Sequence, residues 1–429
     1  MAASARRLKF RGGRPRTKTS ETDVRIELFE SRSIQFPMKI QRTILALAIA
    51  AALPLSAVDA AAAKGTKQWL KAVNAVGPEG QGNEKASKAW ARLAAQGSNA
   101  IPGILAGMKE SNELAENWLR SAVEAIADKT LSSGGKLPVA ALREFIGDTG
   151  QNPRARRVAF ELIRRVNAEA AERMIPGLAN DPSVELRREA VQRLMEQGAK
   201  LVAADKKDGA AKTLSKALDH ARDIDQIKSI SKSLRDMGKE VDLPRHFGFL
   251  THWNVIGPFD NTGRAGFAEV FPPEDKIDLT AEYDGKNGKV KWSELVSSDE
   301  YGMVDINNAY PGNIKEVTAY AYTEFESKAA RPIELRLGCK NAWKVWLNGK
   351  LLFGRDEYHR GMRIDQYRLH GELKKGTNTI LVKACQNEQK ESWTKEWQFQ
   401  LRVCDATGTA VLAENRPTTP KGRKTASLK

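Results

Sequence analysis

The side chains that usually carry chemistry are thinly spread in this chain. Its five histidines, His220, His246, His252, His359 and His370, are scattered, and although His246 and His252 could approach one another, no H-E-x-x-H run accompanies them. That run would set two imidazoles and a carboxylate on one helix face, and no pair of cysteines stands at zinc spacing either. The glycine patterns that cradle phosphate, G-x-x-x-x-G-K-[ST] and G-x-G-x-x-G, are absent, as is the G-x-S-x-G nucleophile elbow. With 53 acidic residues, no pair stands out as acid and nucleophile. The expectation is therefore a non-enzyme with no metal and no cofactor. Cys339, Cys385 and Cys404 are odd in number, so at least one thiol stays free or pairs with another chain. Cys385 and Cys404 fall near opposite ends of what read as neighbouring strands, about 20 Å apart at about 3.3 Å per residue, which argues against that disulfide.

The residues left for binding are aromatic. Side chains alternate between the two faces of a strand, so Trp343, Val345 and Leu347 share one face of a strand whose other face carries Lys344 and Trp346. Trp346 thus has the wrong parity for the core. An outward Trp is a large apolar surface on which the C–H face of a sugar can stack. Tyr358, His359 and Trp393 lie in the polar, aromatic loops Arg355 to Arg363 and Asn387 to Lys395, which could gather at one rim. The candidate ligand-binding set is accordingly Trp346, Tyr358, His359 and Trp393. The competing reading covers Trp346 with the helical arm or a loop, or leaves it exposed and inert.

These residues must be positioned by strands. Between Arg331 and Lys383 the period is two: Ile333, Leu335 and Leu337 oppose Glu334 and Arg336, and Asn348-Gly349 supplies the positive-φ pair of a tight hairpin. Gly376-Thr377-Asn378 turns the chain into Ile380 and Val382, and Trp397, Phe399, Leu401 and Val403 then alternate with Gln398, Gln400 and Arg402. Tyr320, Tyr322 to Phe325, V-W-L-N-G-K, Gly371 to Leu373 and K-G-x-N-x-I-x-V-K from 375 to 383 follow one another in an order that resembles the non-catalytic sugar-binding jelly roll of family 2 glycosidases. More broadly, residues 245 to 408 look like the galactose-binding-like β-sandwiches. The resemblance implies a jelly roll and allows sugar binding, although such sandwiches serve many functions. The glycosidases' catalytic (β/α)₈ barrel, which needs about 250 residues, is not expected after the sandwich, where some 20 residues follow.

Before the strands the period is 3.6. From Trp69 to about Gly238 the chain is rich in Ala, Leu, Arg and Glu with frequent breakers, which reads as helix pairs. Ile101-Pro102, Leu137-Pro138 and Ile175-Pro176 recur at 36 and 38 residues, each opening an apolar helix that a second helix follows. The unit at 174 to 198, MIPGLANDPSVELRREAVQRLMEQG, looks like a HEAT repeat. Asp181 is expected to cap its second helix with Pro182 in the first turn, and Val184, Ala190, Val191 and Leu194 to face inward. The predicted fold class is multidomain, α then β: a short α-solenoid over 64–240, a hinge near Gly238 to Pro244, and a β-sandwich (jelly roll) over 245–412. Residues 260 to 300, rich in Gly, Pro, Asp and Asn, predict short strands and long loops, and residues 413–429 predict a disordered basic tail.

The net charge of +16 suggests nucleic acid at first sight. Residues 1 to 60, however, hold eleven Lys/Arg against five Asp/Glu, and the segment from Glu414 holds five basic residues against one acidic, which leaves about +6 for the body. Without a clustered basic face, stacking aromatics or a recognition helix, nucleic acid is not expected as a partner. Residues 38–63 read as a signal peptide: Met38 to Arg42 is a basic n-region, Thr43 to Ala57 an apolar run, and Val58-Asp59-Ala60 a small-residue cleavage site. A membrane span is disfavoured, because the run falls short of roughly 20 residues and Pro54 interrupts it. Translation starting at Met38 accounts most simply for residues 1–37, which are otherwise disordered or an unusually long n-region. The protein is therefore expected to be periplasmic or extracellular. It would bind carbohydrate or a cell surface through the sandwich; a protein scaffold using the helical face is the second reading, and a hydrolase with its site at the domain junction the third.

Overall fold

The computed structural model describes residues 55–417. Among the described residues, the helical region precedes two main antiparallel sheets, and no sheet closes into a barrel. The n-region Met38 to Arg42 and nearly all of the apolar run behind it lie outside the described residues. Among the described residues, no helix is long and apolar enough to cross a membrane.

Among the described residues eleven α-helices come first: α1 (Leu55–Asn74), α2 (Asn83–Ala94), α3 (Ile101–Ala106), α4 (Glu113–Ser132), α5 (Val139–Gly147), α6 (Pro153–Val166), α7 (Ala168–Met174), α8 (Val184–Ala203), α9 (Lys207–His220), α10 (Ile224–Asp236) and α11 (Leu243–Phe247). Side-chain caps start the longer ones, because the first backbone N–H groups of a helix have no partner within it. Asn112 accepts from Ala115, Asn152 from Arg154 and Ala155, and Ser183 from Leu186. One apolar core runs from α1 to α8, with Val73, Ile101, Leu119, Val123, Phe160 and Ile163 fully buried. Ion pairs step from helix to helix across its surface: Arg120–Glu161 at 3.2 Å, Arg157–Glu189 at 2.7 Å and Arg188–Asp225 at 2.6 Å.

Asp181 has a different role from the one its position suggests. Helix α8 begins at Val184 with Ser183 as its cap, and Asp181 is buried and takes two hydrogen bonds from the Arg156 guanidinium, at 2.7 and 2.6 Å. Arg156 also donates to the Ile146 carbonyl, so a charge that would be costly alone is fully paired. Ala190 and Val191 face inward as expected and Leu194 packs at the core's edge, whereas Val184, in the first turn, is 43% exposed.

The second half holds β1 (His252–Asp260), α12 (Pro272–Asp275), β2 (Glu282–Gly285), β3 (Gly288–Lys291), β4 (Ser293–Val296), β5 (Val304–Asp305), β6 (Val317–Ser327), β7 (Arg331–Cys339), β8 (Ala342–Leu347), β9 (Lys350–Arg355), β10 (Tyr367–Leu373), β11 (Gly376–Gln386) and β12 (Gln398–Cys404). One sheet has the order β4-β1-β6-β11-β8-β9, a second β10-β7-β12-β5, and β2-β3 form a separate hairpin. The two larger sheets share one apolar core. Trp343, Val345 and Leu347 pair with Ala384, Val382 and Ile380 in the first, while Leu335 and Leu337 pair with Val403 and Leu401 in the second. Asn348 and Gly349 carry φ of 52° and 76° between β8 and β9, the hairpin geometry their sequence predicts. At the start of β11, Asn378 is fully buried and holds the preceding turn by exchanging hydrogen bonds with the backbone of Lys374.

Both sheets are covered on their outer faces as well. Segment 262–292 lies over the six-stranded sheet and forms a second apolar layer of Phe271, Ile277, Tyr283 and Trp292 against Tyr320, Tyr322, Trp346 and Leu381. Trp346 is consequently only 6% exposed, which removes it from the candidate site: its parity is outward, as the sequence implies, but a loop and hairpin cover that side. The same layer buries Lys383, whose ammonium donates to the Glu269 carbonyl at 2.6 Å and to Glu274 at 2.7 Å. Over the four-stranded sheet, Phe247 and Phe249 join an apolar cluster with Leu214, Ile227, Ile230 and Leu234 of α9 and α10. This cluster continues across the expected hinge.

Beneath it, the outward-parity residues of β7 and β12 form a buried ion network. Asp365 accepts from Arg402 Nε at 2.6 Å and Nη2 at 2.5 Å, and from Arg336 Nη1 at 2.8 Å, while Arg336 also reaches Glu334 at 2.7 Å. Arg402 spends its remaining donor capacity on the Phe247 and Gly408 carbonyls. Burial works to raise the Asp365 pKa, but the two guanidiniums outweigh it and hold the carboxyl below its ordinary value. Cys385 and Cys404 lie in different sheets rather than on neighbouring strands, and all three cysteines are free and buried. Burial pushes the Cys339 and Cys385 thiols up to about 12 and about 11. At the expected start of the disordered tail, Glu414 and Asn415 are instead hydrogen-bonded along β6, and Arg416 donates to the Phe249 carbonyl at 2.8 Å.

Candidate functional site

Three of the four candidate aromatic residues come together at one end of the six-stranded sheet. Tyr358 and His359 follow β9, and Trp393 stands on the short turn Ser392–Thr394 between β11 and β12. The His359 and Trp393 rings meet edge to face with centroids 5.4 Å apart, and those of Tyr358 and His359 are 6.2 Å apart. Trp393 is 58% exposed, the largest aromatic surface left to water among the described residues. Trp346 belongs to the covered layer and is no part of this rim.

Each ring is held from below. His359, at φ 55°, donates from Nε2 to the Asn387 carboxamide oxygen at 2.7 Å, and Asn387 is fully buried. Thr394, also fully buried, donates from its hydroxyl to the Gln389 and Glu391 carbonyls and fixes the turn that presents Trp393. Tyr358 accepts from Asn261 Nδ2 at 3.2 Å, and the Arg264 guanidinium lies 5.2 Å from its ring centroid. Arg264 in turn forks onto Glu388 at 3.1 and 2.5 Å, and this hydrogen-bonded pairing draws the Glu388 pKa down to about 2. Burial raises the Tyr358 hydroxyl pKa, so it stays protonated at neutral pH. The Asn261 carboxamide oxygen is buried without a hydrogen-bond partner among the described residues.

Beside the rim, on the same loop, is an open cleft of about 480 Å³ lined by Arg355, Glu357, Arg360, Arg363, Gln366 and Tyr367. Glu357 stands 3.6 Å from both Arg355 and Arg360. Sequence reasoning marked this loop for its aromatics and passed over its arginines, although three within nine residues was a visible signal. Asn261 and Asn387 carried no such signal, because their role depends on which loops the topology brings together. His246 and His252, weighed as a pair, sit apart in their interactions: His246 faces Arg222, Asp219 and Arg402, and His252 faces Glu294 and Arg416. Among the described residues, no group of three or more His, Cys, Asp or Glu is placed to hold a metal.

No family model matches the chain, and no curated protein matches it. Among solved structures, the β-glucosidase of Kluyveromyces marxianus aligns over 26% of this chain and 14% of its own, at 13% identity and a TM-score of 0.20. The same enzyme in complex with glucose aligns over 21% and 11%, at 14% identity and a TM-score of 0.17. The GH31 α-xylosidase of Xanthomonas citri aligns over 37% and 16%, at 13% identity and a TM-score of 0.19. The chain thus spans under a fifth of each of these structures, and the likeness to glycoside hydrolases is weak, of low coverage and carries no argument.

Proposed function

We propose that this chain is an exported, non-catalytic binding protein that recognises carbohydrate or a cell-envelope polysaccharide through the sheet region, with the helices as a spacer. The observation that carries the reading is Trp393, a 58% exposed aromatic face set against His359 and held by buried Asn387 and Thr394. A rigid aromatic surface with oriented polar groups beside it suits the stacking of a sugar ring. In this reading the sheets are a galactose-binding-like jelly roll, which their shared core supports, and the helices are HEAT-like repeats, which the ion pairs stepping across α4, α6, α8 and α10 support. The scaffold alternative rests on a cleft of about 540 Å³ lined by Arg120, Arg157, Glu161, Glu185, Arg188 and Glu189. Most of its charges are already spent on one another, which makes it the weaker candidate.

The test is a glycan array probed with the full chain, wild type and Trp393→Ala. Selective glycan binding lost in the variant is the expected result. No glycan binding, together with a protein captured by wild type and released by Arg157→Glu, would transfer the function to the helices. Export is tested separately, by sequencing the N-terminus of protein recovered from the cell envelope or medium, with a start just after Ala60 to Ala63 expected. Cytoplasmic protein retaining residues 1–60 would refute it.

A further inference from the structure

The cleft beside the aromatic rim has more positive charge than its own carboxylate can satisfy. Three arginines line it against the single carboxylate of Glu357, which engages Arg355 and Arg360. Arg363 has no ion-pair partner among the described residues. Guanidiniums that line one cleft repel one another, and a loop with no further task gains nothing by gathering them there.

This loop is held at both ends. His359 is anchored on buried Asn387, and Asp365 is clamped by Arg336 and Arg402 in the buried network. Both anchor residues have positive φ, 55° and 59°, which is uncommon outside glycine though His and Asp tolerate it better than most. Between them the chain presents Arg360 and Arg363 into the cleft, with Gln366 donating to the Gly361 carbonyl at 3.1 Å across the loop. A second aromatic face adjoins it: Phe353 is 47% exposed, and the Arg355 guanidinium lies 5.6 Å from its ring centroid. The cleft therefore combines oriented guanidiniums, which match the two oxygens of a carboxylate or sulfate, with an apolar surface for a ring.

We propose that this cleft is an anion subsite, and that the ligand of the rim is an acidic glycan whose carboxylate or sulfate group sits among Arg355, Arg360 and Arg363. The inference rests on the carbohydrate-binding reading above and narrows it to a charged class. It assigns the aromatic rim to the neutral part of the sugar chain and the arginines to its charge.

The experiment is calorimetric titration of the full chain with oligogalacturonate, with its methyl-esterified counterpart, with a sulfated galactan oligomer and with inorganic sulfate, each at low and at 0.5 M salt. The acidic oligomers should bind at least tenfold more tightly than the ester, and that advantage should collapse at high salt. Comparing oligogalacturonate with the sulfated oligomer identifies the group preferred. The double variant Arg360→Gln/Arg363→Gln, changed at exposed positions, should melt as wild type does and lose the preference while keeping the weak binding of the ester. Equal affinity for acid and ester, or a preference unchanged in the double variant, would overturn the anion subsite and leave the carbohydrate reading intact. Binding of inorganic sulfate alone would also overturn it, as an isolated ion site. Binding of no oligosaccharide in any form would remove the carbohydrate reading itself.

Discussion

Replacing Asp365 by Ala should destabilise the protein far more than a one-residue loop change ordinarily does. The substitution deletes the one carboxylate among the described residues that reaches Arg402, through contacts of 2.6 and 2.5 Å, while Arg336 keeps Glu334 at 2.7 Å. Arg402 is 2% exposed, so its guanidinium would be left with two carbonyls, at 3.1 Å each, and no counter-charge. Removing one partner of a buried pair costs about 3–5 kcal/mol, whereas an exposed pair such as Lys232–Asp236 is worth about 0.2–1 kcal/mol. Urea unfolding followed by tryptophan fluorescence should show the unfolding free energy falling by that amount, with a correspondingly lower midpoint, and Asp365→Asn in between. The decisive comparison is Asp365→Ala/Arg402→Met, which removes both charges and should recover much of the loss. A cost below about 1 kcal/mol for Asp365→Ala, or a double variant as costly as the sum of the singles, would show that the network does not join α11 and its neighbours to the sheet as described.

Two further outcomes follow from the covered faces. Burial, with Arg222 beside it, draws the His246 pKa down from 6.5 to about 4. Between those values the unfolded chain binds the proton and the folded one resists it, so this contribution to stability is intact above about pH 6.5. It is lost progressively toward pH 4, by about 3 kcal/mol at about 1.4 kcal/mol per unit. His246→Gln should flatten that acid limb in a pH series of melting curves, and an unchanged limb would contradict the assignment. Trp346→Ala, deep in the second apolar layer with Trp292, Tyr322 and Leu381 in the same cluster, should cost about 3–5 kcal/mol and leave ligand affinity untouched. A glycan affinity that falls in a folded Trp346→Ala protein would return that residue to the site.

Local periodicity was legible where one face of an element meets one core. Ile333, Leu335 and Leu337, Trp343, Val345 and Leu347, and Trp397 to Val403 occupy the faces their alternation assigns, and Asn348-Gly349 turns as its chemistry requires. What the alternation could not show is that the opposite faces are also covered. Lys383, Arg336 and Arg402 are polar at outward positions, yet they are buried because segment 262–292 and the helices close over them and their charges find partners there. For the same reason two readings of Trp346 stood open, since parity says which side a residue faces and not what lies on it, and the structure has the covered one. The rim was legible in part: Tyr358, His359 and Trp393 could be picked out as aromatic loop residues, but the supports of the first two, Asn261 under Tyr358 and Asn387 under His359, come from segments that only the topology brings together. Asp181 shows the limit for helices. Its place before a helix pointed to capping, while its partner Arg156 lies 25 residues back on another helix.

The central claim, that the aromatic rim binds carbohydrate, is tested most directly by tryptophan fluorescence of the full chain titrated with oligosaccharides, wild type against Trp393→Ala. Trp393 is 58% exposed, so a sugar stacking on it should change its emission, and the variant should lose both the saturable signal and at least tenfold in affinity measured by calorimetry, about 1.4 kcal/mol. Undiminished affinity in Trp393→Ala, with the protein folded, would contradict the claim.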